Sequence, residues 1–92
     1  MITWDESKRR SNRAKHGLDF GGVEAVFDGP VMTEEDARLA YGEQRINLIG
    51  MLHGQVVHLT YTERGDDLHI ISLRKASSHE TRQFARWVSS HP

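Results

Sequence analysis

The chain has 92 residues, a net charge of −1 with neutral histidines, and no cysteine. This length supports one hydrophobic core and therefore a single domain over residues 1–92. The lack of cysteine excludes disulfides and thiolate metal sites, and the absence of long apolar stretches or a basic, apolar leader predicts no membrane span and a cytoplasmic location.

Charge is unevenly distributed along the chain. Residues 1–20 carry five basic and three acidic side chains, residues 21–67 three basic and nine acidic, and residues 68–92 four basic and one acidic. If the two basic ends meet in space, they form a local positive surface, and such a local field governs phosphate binding more than the net charge does. Taken alone, the run Lys8-Arg9-Arg10 is equally typical of a solvated helix face.

Capping signals predict the first two elements. Residues 1–4 have the pattern of a short strand. Asp5 is a suitable N-cap for a helix that runs to about residue 16, and Gly17 is a suitable C-terminal stop.

A second short helix is expected after Asp19, which can cap it. Apolar residues recur there at helical spacing, namely Phe20, Val23, Val26 and Phe27. The run Asp28-Gly29-Pro30 ends this helix, because proline cannot continue it and glycine accepts a left-handed cap.

The middle of the chain is rich in strand signals. Apolar and β-branched residues predict strands over residues 31–33, 44–52, 55–62 and 68–75. Residues 34–43 are acidic and polar and predict a loop. His53-Gly54 and Arg64-Gly65-Asp66-Asp67 supply the turns of an antiparallel meander.

The last helix has a strong start signal. Ser77-Ser78-His79-Glu80 is a capping box, and Phe84, Trp87 and Val88 form an apolar stripe that can pack on the sheet. The order of elements predicts an α+β fold: a small, antiparallel-rich sheet of about four to five strands, two N-terminal helices and one C-terminal helix.

The six histidines suggest a metal site only weakly. They lack the tight spacing of metal ligands, and only the pair His58 and His69 is placed by the predicted hairpin where cross-strand neighbours could meet. A metal-dependent hydrolase is therefore the weakest of three functional hypotheses, and neither a metal nor a cofactor is expected.

A stronger constellation ends the last predicted strand. Arg74 and Lys75 follow an apolar run and directly precede a helix N-terminus, a corner that favours an anion. Strand alternation sends the two side chains to opposite faces. Arginine suits the phosphorane formed when an RNA 2′-hydroxyl attacks the adjacent phosphate, because its fork matches the phosphate oxygens. Two exposed charges at a strand end are the simpler interpretation.

Further candidates lie at turns and helix ends. Arg64 is a possible phosphate ligand beside Tyr61, and Glu63 is either a base or the salt-bridge partner of Arg64. Lys15 and His16 complement the dipole at the end of the first helix, where His16 also supplies a proton donor. The RNA-binding candidates are Lys15, Arg45, Tyr61 and Arg82.

An ordered set of short segments now resembles a known family. The segments are Trp4-Asp5-Glu6 with Asn12 and Lys15-His16-Gly17; Phe20, Val26-Phe27-Asp28 and Pro30; Gly42-Glu43 with Arg45, Ile49-Gly50 and Tyr61-Thr62-Glu63-Arg64; and Ile70-Ile71-Ser72 with Arg74-Lys75-Ala76, Glu80 and Arg82. Together they are similar to the BrnT toxins of type II toxin–antitoxin systems, whose fold resembles that of the RelE ribonucleases.

The resemblance implies a ribonuclease that inhibits translation, and the spacing of the histidines predicts that it needs no metal. It also implies a BrnA-like antitoxin that neutralises the toxin and carries operator DNA binding, with toxin and antitoxin dimers forming a heterotetramer. RNA cleavage is expected from basic residues at strand ends and hairpins, which correspond here to Arg64, Arg74 and Lys75.

Two functional hypotheses remain beside the metal enzyme. The first is an RNA endonuclease in which Arg64, Arg74 and Lys75 converge on one shallow anionic pocket against the sheet. The second is a catalytically inactive relative that acts as a binding or regulatory module, which the acidic run Glu34-Glu35-Asp36 and the modest net charge favour.

Overall fold

The computed structural model describes residues 1–40 and 42–91, with residues 37–40 described by their backbone alone. Its elements are β1 (Ile2–Trp4), α1 (Glu6–His16), a 3₁₀ helix (Val23–Asp28), β2 (Val31–Ala40), β3 (Glu43–Leu52), β4 (Gln55–Arg64), β5 (Asp67–Lys75) and α2 (Ser78–Ser90).

The five strands form one mixed sheet in the order β1-β5-β4-β3-β2. β1 runs parallel to β5, and every other neighbouring pair is antiparallel. This arrangement confirms the predicted α+β class, the strand number and the meander. The RelE-like label stays a prediction.

The capping signals of α1 are confirmed. The Ser7 backbone N–H donates to Asp5 Oδ1 at 2.9 Å, and Gly17 adopts a left-handed φ of 74° that ends the helix. The Gly17 N–H donates to the Arg13 carbonyl at 2.8 Å. Each of these contacts is local, which explains why the sequence alone locates both ends of the helix.

The second predicted helix is a six-residue 3₁₀ helix that begins later than expected. Its N-cap is Gly22, with φ 84°, whereas the Asp19 carboxylate accepts instead from the Gly21 N–H and pairs with Arg9. Three of its predicted apolar positions are buried, namely Phe20, Val23 and Val26. Phe27 is not, and its ring meets Tyr61 edge-on from a partly exposed position.

The loop predicted over residues 34–43 is wrong for residues 34–40 and for Glu43, which belong to strands, and residue 41 lies outside the described residues. β2 continues through this acidic stretch to Ala40, paired with β3 along its length apart from an irregularity between Asp36 and Leu39. β2 is an edge strand and needs a partner on one side only, so its solvent-facing carboxylates cost little. Acidic side chains along an edge also discourage pairing with another chain.

Tight turns join the three central strands, as predicted. His53 and Gly54 both have positive φ, 50° and 82°, which is the requirement of a type I′ hairpin. β4 ends two residues later than predicted, at Arg64, and β5 begins one residue earlier, at Asp67. Only Gly65 and Asp66 therefore remain in the second turn.

The hydrophobic core lies on one side of the sheet, which we call the inner face. Alternate residues of β3, β4 and β5 meet the 3₁₀ helix and the segment before it. The fully buried members include Phe20, Val23, Val26, Leu48, Val57, Leu59, Ile70 and Leu73. Trp4 packs its indole edge-on against Phe20 with ring centroids 6.3 Å apart.

The opposite side, the outer face, is covered only in part. α2 begins with the predicted capping box between Ser77 and Glu80 and buries Phe84. Together with Thr81, Ala85 and Val88, Phe84 lines an apolar cavity of about 420 Å³ against Met51 and Val56. α2 therefore shields the outer face at the end of the sheet that holds the β3–β4 turn.

Gly50 tests the packing between the inner face and the 3₁₀ helix. A Cβ at this position would lie 2.9 Å from Val26 Cγ2 and 3.3 Å from Val31 Cγ1. We expect Gly50→Ala to lower the free energy of unfolding by about 1–3 kcal/mol, since overpacking forces its neighbours apart. Urea denaturation measures this change.

The matched control is Gly29→Ala, where an added Cβ meets nothing within 4 Å and φ is −120°. Its free energy of unfolding should stay within about 0.5 kcal/mol of the wild type. Equal effects of the two substitutions would contradict the packing described here.

Candidate functional site

The uncovered half of the outer face is bordered by α1. Here the outward side chains of β3, β4 and β5 stand beside the helix, which contacts β5. Two adjoining cavities lie in this region. One, of about 140 Å³, is lined by Lys8, Glu43, Arg45, Thr62, Arg64, His69 and Ile71. The other, of about 200 Å³, is lined by Lys8, Ser11, Asn12, Lys15, His16, Ile71 and Ser72.

Lys8 and Ile71 line both cavities, so the two form one continuous surface. Its cationic and imidazole side chains are Lys8, Lys15, His16, Arg45, Arg64 and His69. We call these six residues the basic face. Glu43 is the one carboxylate that lines either cavity. A chain of net charge −1 thus gathers positive charge on one concave surface.

Arg64 is held in place by Glu43. The guanidinium donates to both carboxylate oxygens, through Nε at 2.9 Å and Nη2 at 2.8 Å. This pairing lowers the pKa of Glu43 and raises that of Arg64. Of the two roles that the sequence left open for Glu63, a base or the salt-bridge partner of Arg64, the second is wrong, because the partner is Glu43. Glu43 lies on the neighbouring strand β3, 21 residues away in sequence, so the sequence alone does not identify it as the partner of Arg64.

His69 stands opposite Thr62 in the register of β4 and β5. Its Nδ1 lies 2.9 Å from Thr3 Oγ1, a hydrogen-bonding distance that ties the ring to β1. Partial burial lowers the pKa of His69, and the positive charge of Arg64 lowers it further. The ring is therefore neutral at pH 7 and able to accept a proton.

Arg74 lies elsewhere on the outer face. It is opposite His58, six residues before Arg64 on β4, which places the two arginines about 20 Å apart along the strand. Its guanidinium donates to both oxygens of Glu80, at 2.7 and 2.9 Å. This pair, together with the capping box, lowers the pKa of Glu80 to about 2.

Three further candidates do not reach the basic face. Lys75 is opposite Val57, on the inner-face side, as strand alternation predicts. Tyr61 is only 6% exposed and packs in the core. Glu63 lines neither of the two cavities of the basic face but an adjoining one of about 320 Å³, which shares Glu43 and Thr62 with the first and also holds Glu35. The three carboxylates of this adjoining cavity repel phosphate.

The convergence predicted from sequence is therefore wrong in its membership. Arg64, Arg74 and Lys75 occupy three different surroundings, and Arg82 lies on the exposed side of α2. His58 and His69 are not cross-strand neighbours, since they face Arg74 and Thr62. The structure instead brings Arg64 and Arg45 together with the predicted pair at the end of α1, Lys15 and His16.

Sequence reasoning missed Lys8 and His69 as site residues. A helical signal for the first exists, because Lys8, Asn12, Lys15 and His16 recur at i, i+4, i+7 and i+8 on one side of α1. The sequence predicted that the two basic ends of the chain meet, and the contact between α1 and β5 confirms this in part. The cations after Ile71 lie apart from the basic face.

Two further findings bear on function. Within residues 1–40 and 42–91, no three His, Cys, Asp or Glu side chains come together as a metal site. Among the described helices, none has both the length and the apolar character needed to cross a bilayer.

Fold and site together define a small α+β protein with one open, cationic sheet face, suited to a polyanion. The family model for BrnT, the ribonuclease toxin of type II toxin–antitoxin systems, matches residues 4–80, and the chain belongs to this family. The matched segment contains all six residues of the basic face and ends at Glu80, near the start of α2. No curated relative matches the chain.

Glu80 gives a test of how α2 is attached. Its pKa is depressed from 4.5 to about 2, so its contribution to stability is present above pH 4.5 and is lost as the pH falls through about 2. We expect Glu80→Gln to lower the free energy of unfolding at pH 7 by about 2–3 kcal/mol, through loss of charge-assisted bonds. The deficit should shrink steadily toward pH 2.

Denaturation curves at several pH values measure this deficit, with exposed Glu24 as the control residue. Glu24→Gln should change stability by less than about 0.5 kcal/mol at every pH. A deficit for Glu80→Gln that is constant with pH would contradict the ionic anchor.

His69 gives a second test, by NMR titration of its ring. We expect a pKa below the ordinary value of 6.5. Arg64→Ala should raise this pKa, because a nearby positive charge is removed, and Glu43→Gln should lower it, because a nearby negative charge is removed. Arg82→Ala, on α2, should leave it unchanged. Equal responses to all three substitutions would contradict the geometry of the basic face.

Proposed function

We propose that this chain is a metal-independent endoribonuclease toxin that binds RNA on the basic face and cleaves it by attack of the 2′-hydroxyl. The gathering of four cations and two imidazoles on one open surface of an otherwise acidic chain carries the proposal. Membership of the BrnT ribonuclease toxins supports it.

The arginines of the proposed site bind phosphate. Arg64 already presents one edge of its guanidinium, through Nε and Nη2, to both oxygens of a carboxylate, and these oxygens have nearly the spacing of two phosphate oxygens. RNA would replace Glu43 in this contact. Arg45 and Lys8 line the same cavity and supply the additional positive charge that stabilises a dianionic phosphorane.

The imidazoles of the proposed site move protons. His69 is neutral at pH 7 and takes the proton of the 2′-hydroxyl as its oxygen bonds to phosphorus. The bond from phosphorus to the 5′-oxygen then breaks, and His16 donates a proton to that oxygen. The products are a 2′,3′-cyclic phosphate and a 5′-hydroxyl. Glu63 lines neither cavity of the basic face and takes no part in these steps.

A protein antitoxin is the expected partner, because the family belongs to type II toxin–antitoxin systems. We propose a BrnA-like antitoxin, a heterotetramer of toxin and antitoxin dimers, and DNA binding only through the antitoxin. The free toxin would act on cytoplasmic RNA and so inhibit translation.

Two substitutions in the basic face test the nuclease directly. Arg45→Ala and Arg64→Ala should each lower kcat/KM for RNA cleavage about 10- to 1,000-fold, since each removes a charge that stabilises the transition state. The assay uses purified, antitoxin-free protein in EDTA and identifies the cyclic phosphate end. Both variants should also lose toxicity in cells.

The matched control is Arg82→Ala, an exposed arginine of α2 outside the basic face. It should change kcat/KM by less than threefold. If correctly folded wild-type protein leaves RNA intact, the ribonuclease proposal is contradicted and the inactive binding module is favoured. Activity that disappears with EDTA and returns with zinc would instead revive the metal enzyme.

A further inference from the structure

Helix α1 docks on the sheet by an unusual route. Of its eleven residues, all of which the structure describes, only Asn12 is buried. A surface helix normally packs through an apolar stripe at i, i+3, i+4 and i+7. α1 has no such stripe, because polar and charged residues fill the positions that face the sheet. Hydrophobic burial therefore does little to hold this helix.

The Asn12 side chain supplies the missing attachment. Its Nδ2 donates to the Leu73 carbonyl at 2.8 Å, and its Oδ1 accepts from the Leu73 N–H at 3.0 Å. Nδ2 also donates to the Leu18 carbonyl at 3.2 Å, beyond the end of the helix. One carboxamide thus joins α1 to β5 and to the segment that leaves α1. The amide is 8% exposed, so these bonds are shielded from water.

The bonds fall where β5 loses its neighbouring strand. β1 pairs with Leu68–Ile70 and then ends. Beyond that point the backbone groups of β5 on this edge need another partner. A carboxamide carries the same donor and acceptor as a peptide group, so Asn12 continues the edge pairing with its side chain.

Other contacts of α1 do not fix its register on β5. Arg9 donates to both oxygens of Asp19, at 3.1 and 3.0 Å, but Asp19 belongs to the segment after the helix. The Trp4 indole reaches Glu6 at 3.2 Å, within the same turn of chain. Asn12 is the side chain of α1 that bonds the β5 backbone among the described contacts.

Asn12 lies in the middle of the stripe that serves the basic face. Lys8 is one turn before it, and Lys15 and His16 are about one turn after it. All four residues line the same cavity. A rotation or slide of α1 would therefore move Lys8, Lys15 and His16 together.

We propose that Asn12 is the positioning residue of the basic face: its bidentate bond to Leu73 sets the rotation and height of α1 and so aligns Lys8, Lys15 and His16 with the β-strand residues of the site. This inference rests on the proposed ribonuclease function, which it deepens. An amide is required because an apolar side chain would leave Leu73 unpaired, and a carboxylate would face the Leu73 and Leu18 carbonyls.

The test combines hydrogen exchange with kinetics, at temperatures where each variant is fully folded. In Asn12→Ala, the Leu73 amide should lose its protection at least 10-fold, and kcat should fall at least 10-fold, because a small misplacement of catalytic groups is costly. The fall in kcat should exceed the rise in KM. The control is Asn47→Ala, whose side chain accepts from Thr60 on the same face. It should change kcat by less than threefold.

Asn12→Asp supplies a signature that a purely structural residue would not give, and it serves if Asn12→Ala fails to fold. A protonated carboxyl can donate to the Leu73 carbonyl and accept from the Leu73 N–H, as the amide does, whereas the ionised form has no donor. Burial beside carbonyls raises the pKa of the introduced carboxyl. Protection of the Leu73 amide, corrected for the intrinsic exchange rate, should therefore recover at least 10-fold as the pH falls from 8 to about 5.

The outcomes separate this inference from the nuclease itself. Unchanged Leu73 protection in Asn12→Ala, or lost protection with unchanged kcat, would overturn the positioning role. Should the wild type leave RNA intact, the proposed function fails, and the placement of α1 is then measured by the NMR shifts of the His16 ring. A shift in Asn12→Ala that is absent in Asn47→Ala would support the positioning role, and no shift would overturn it.

Discussion

A helix that turns lysine and histidine toward a sheet cannot be held there by hydrophobic burial. In this chain the paired bonds between the Asn12 amide and the Leu73 backbone replace an apolar seam. A buried polar contact of this kind contributes less to stability than to register, since it is satisfied in one arrangement only. The inner face, packed around Leu59 and Phe20, supplies the stability. The two faces of the sheet thus divide the work of folding and of function.

Two arginine forks on the outer face, those of Arg64 and Arg74, are each closed by a carboxylate. Arg64 pairs with Glu43, and Arg74 pairs with Glu80. The two pairs have different consequences. The Arg74 pair continues into the capping box of α2 and fastens that helix, so its charge is committed to structure. The Arg64 pair borders an open cavity, where a phosphate can compete with Glu43.

Local signals predicted most of the fold, because each acts within a few residues of chain. Asp5 and Ser77 cap their helices as expected, and His53-Gly54 makes the predicted turn. The extension of β2 escaped prediction because an acidic edge strand carries no apolar alternation. The membership of the site depends on register and on α1 docking, and so the sequence paired Arg64 with Arg74 when the sheet separates them by about 20 Å.

The parallel pairing of the first and last strands also determines the order in which the protein folds during its synthesis. Ile2 pairs with Leu68, and the groups that fasten Asn12 are 61 residues further along the chain. Contacts between such distant segments form late, because the loop between them must close first. A nascent chain that ends before Leu73 lacks the backbone groups that join α1 to the sheet. The surface proposed to cut RNA is therefore among the last parts of the protein to assemble during its own translation.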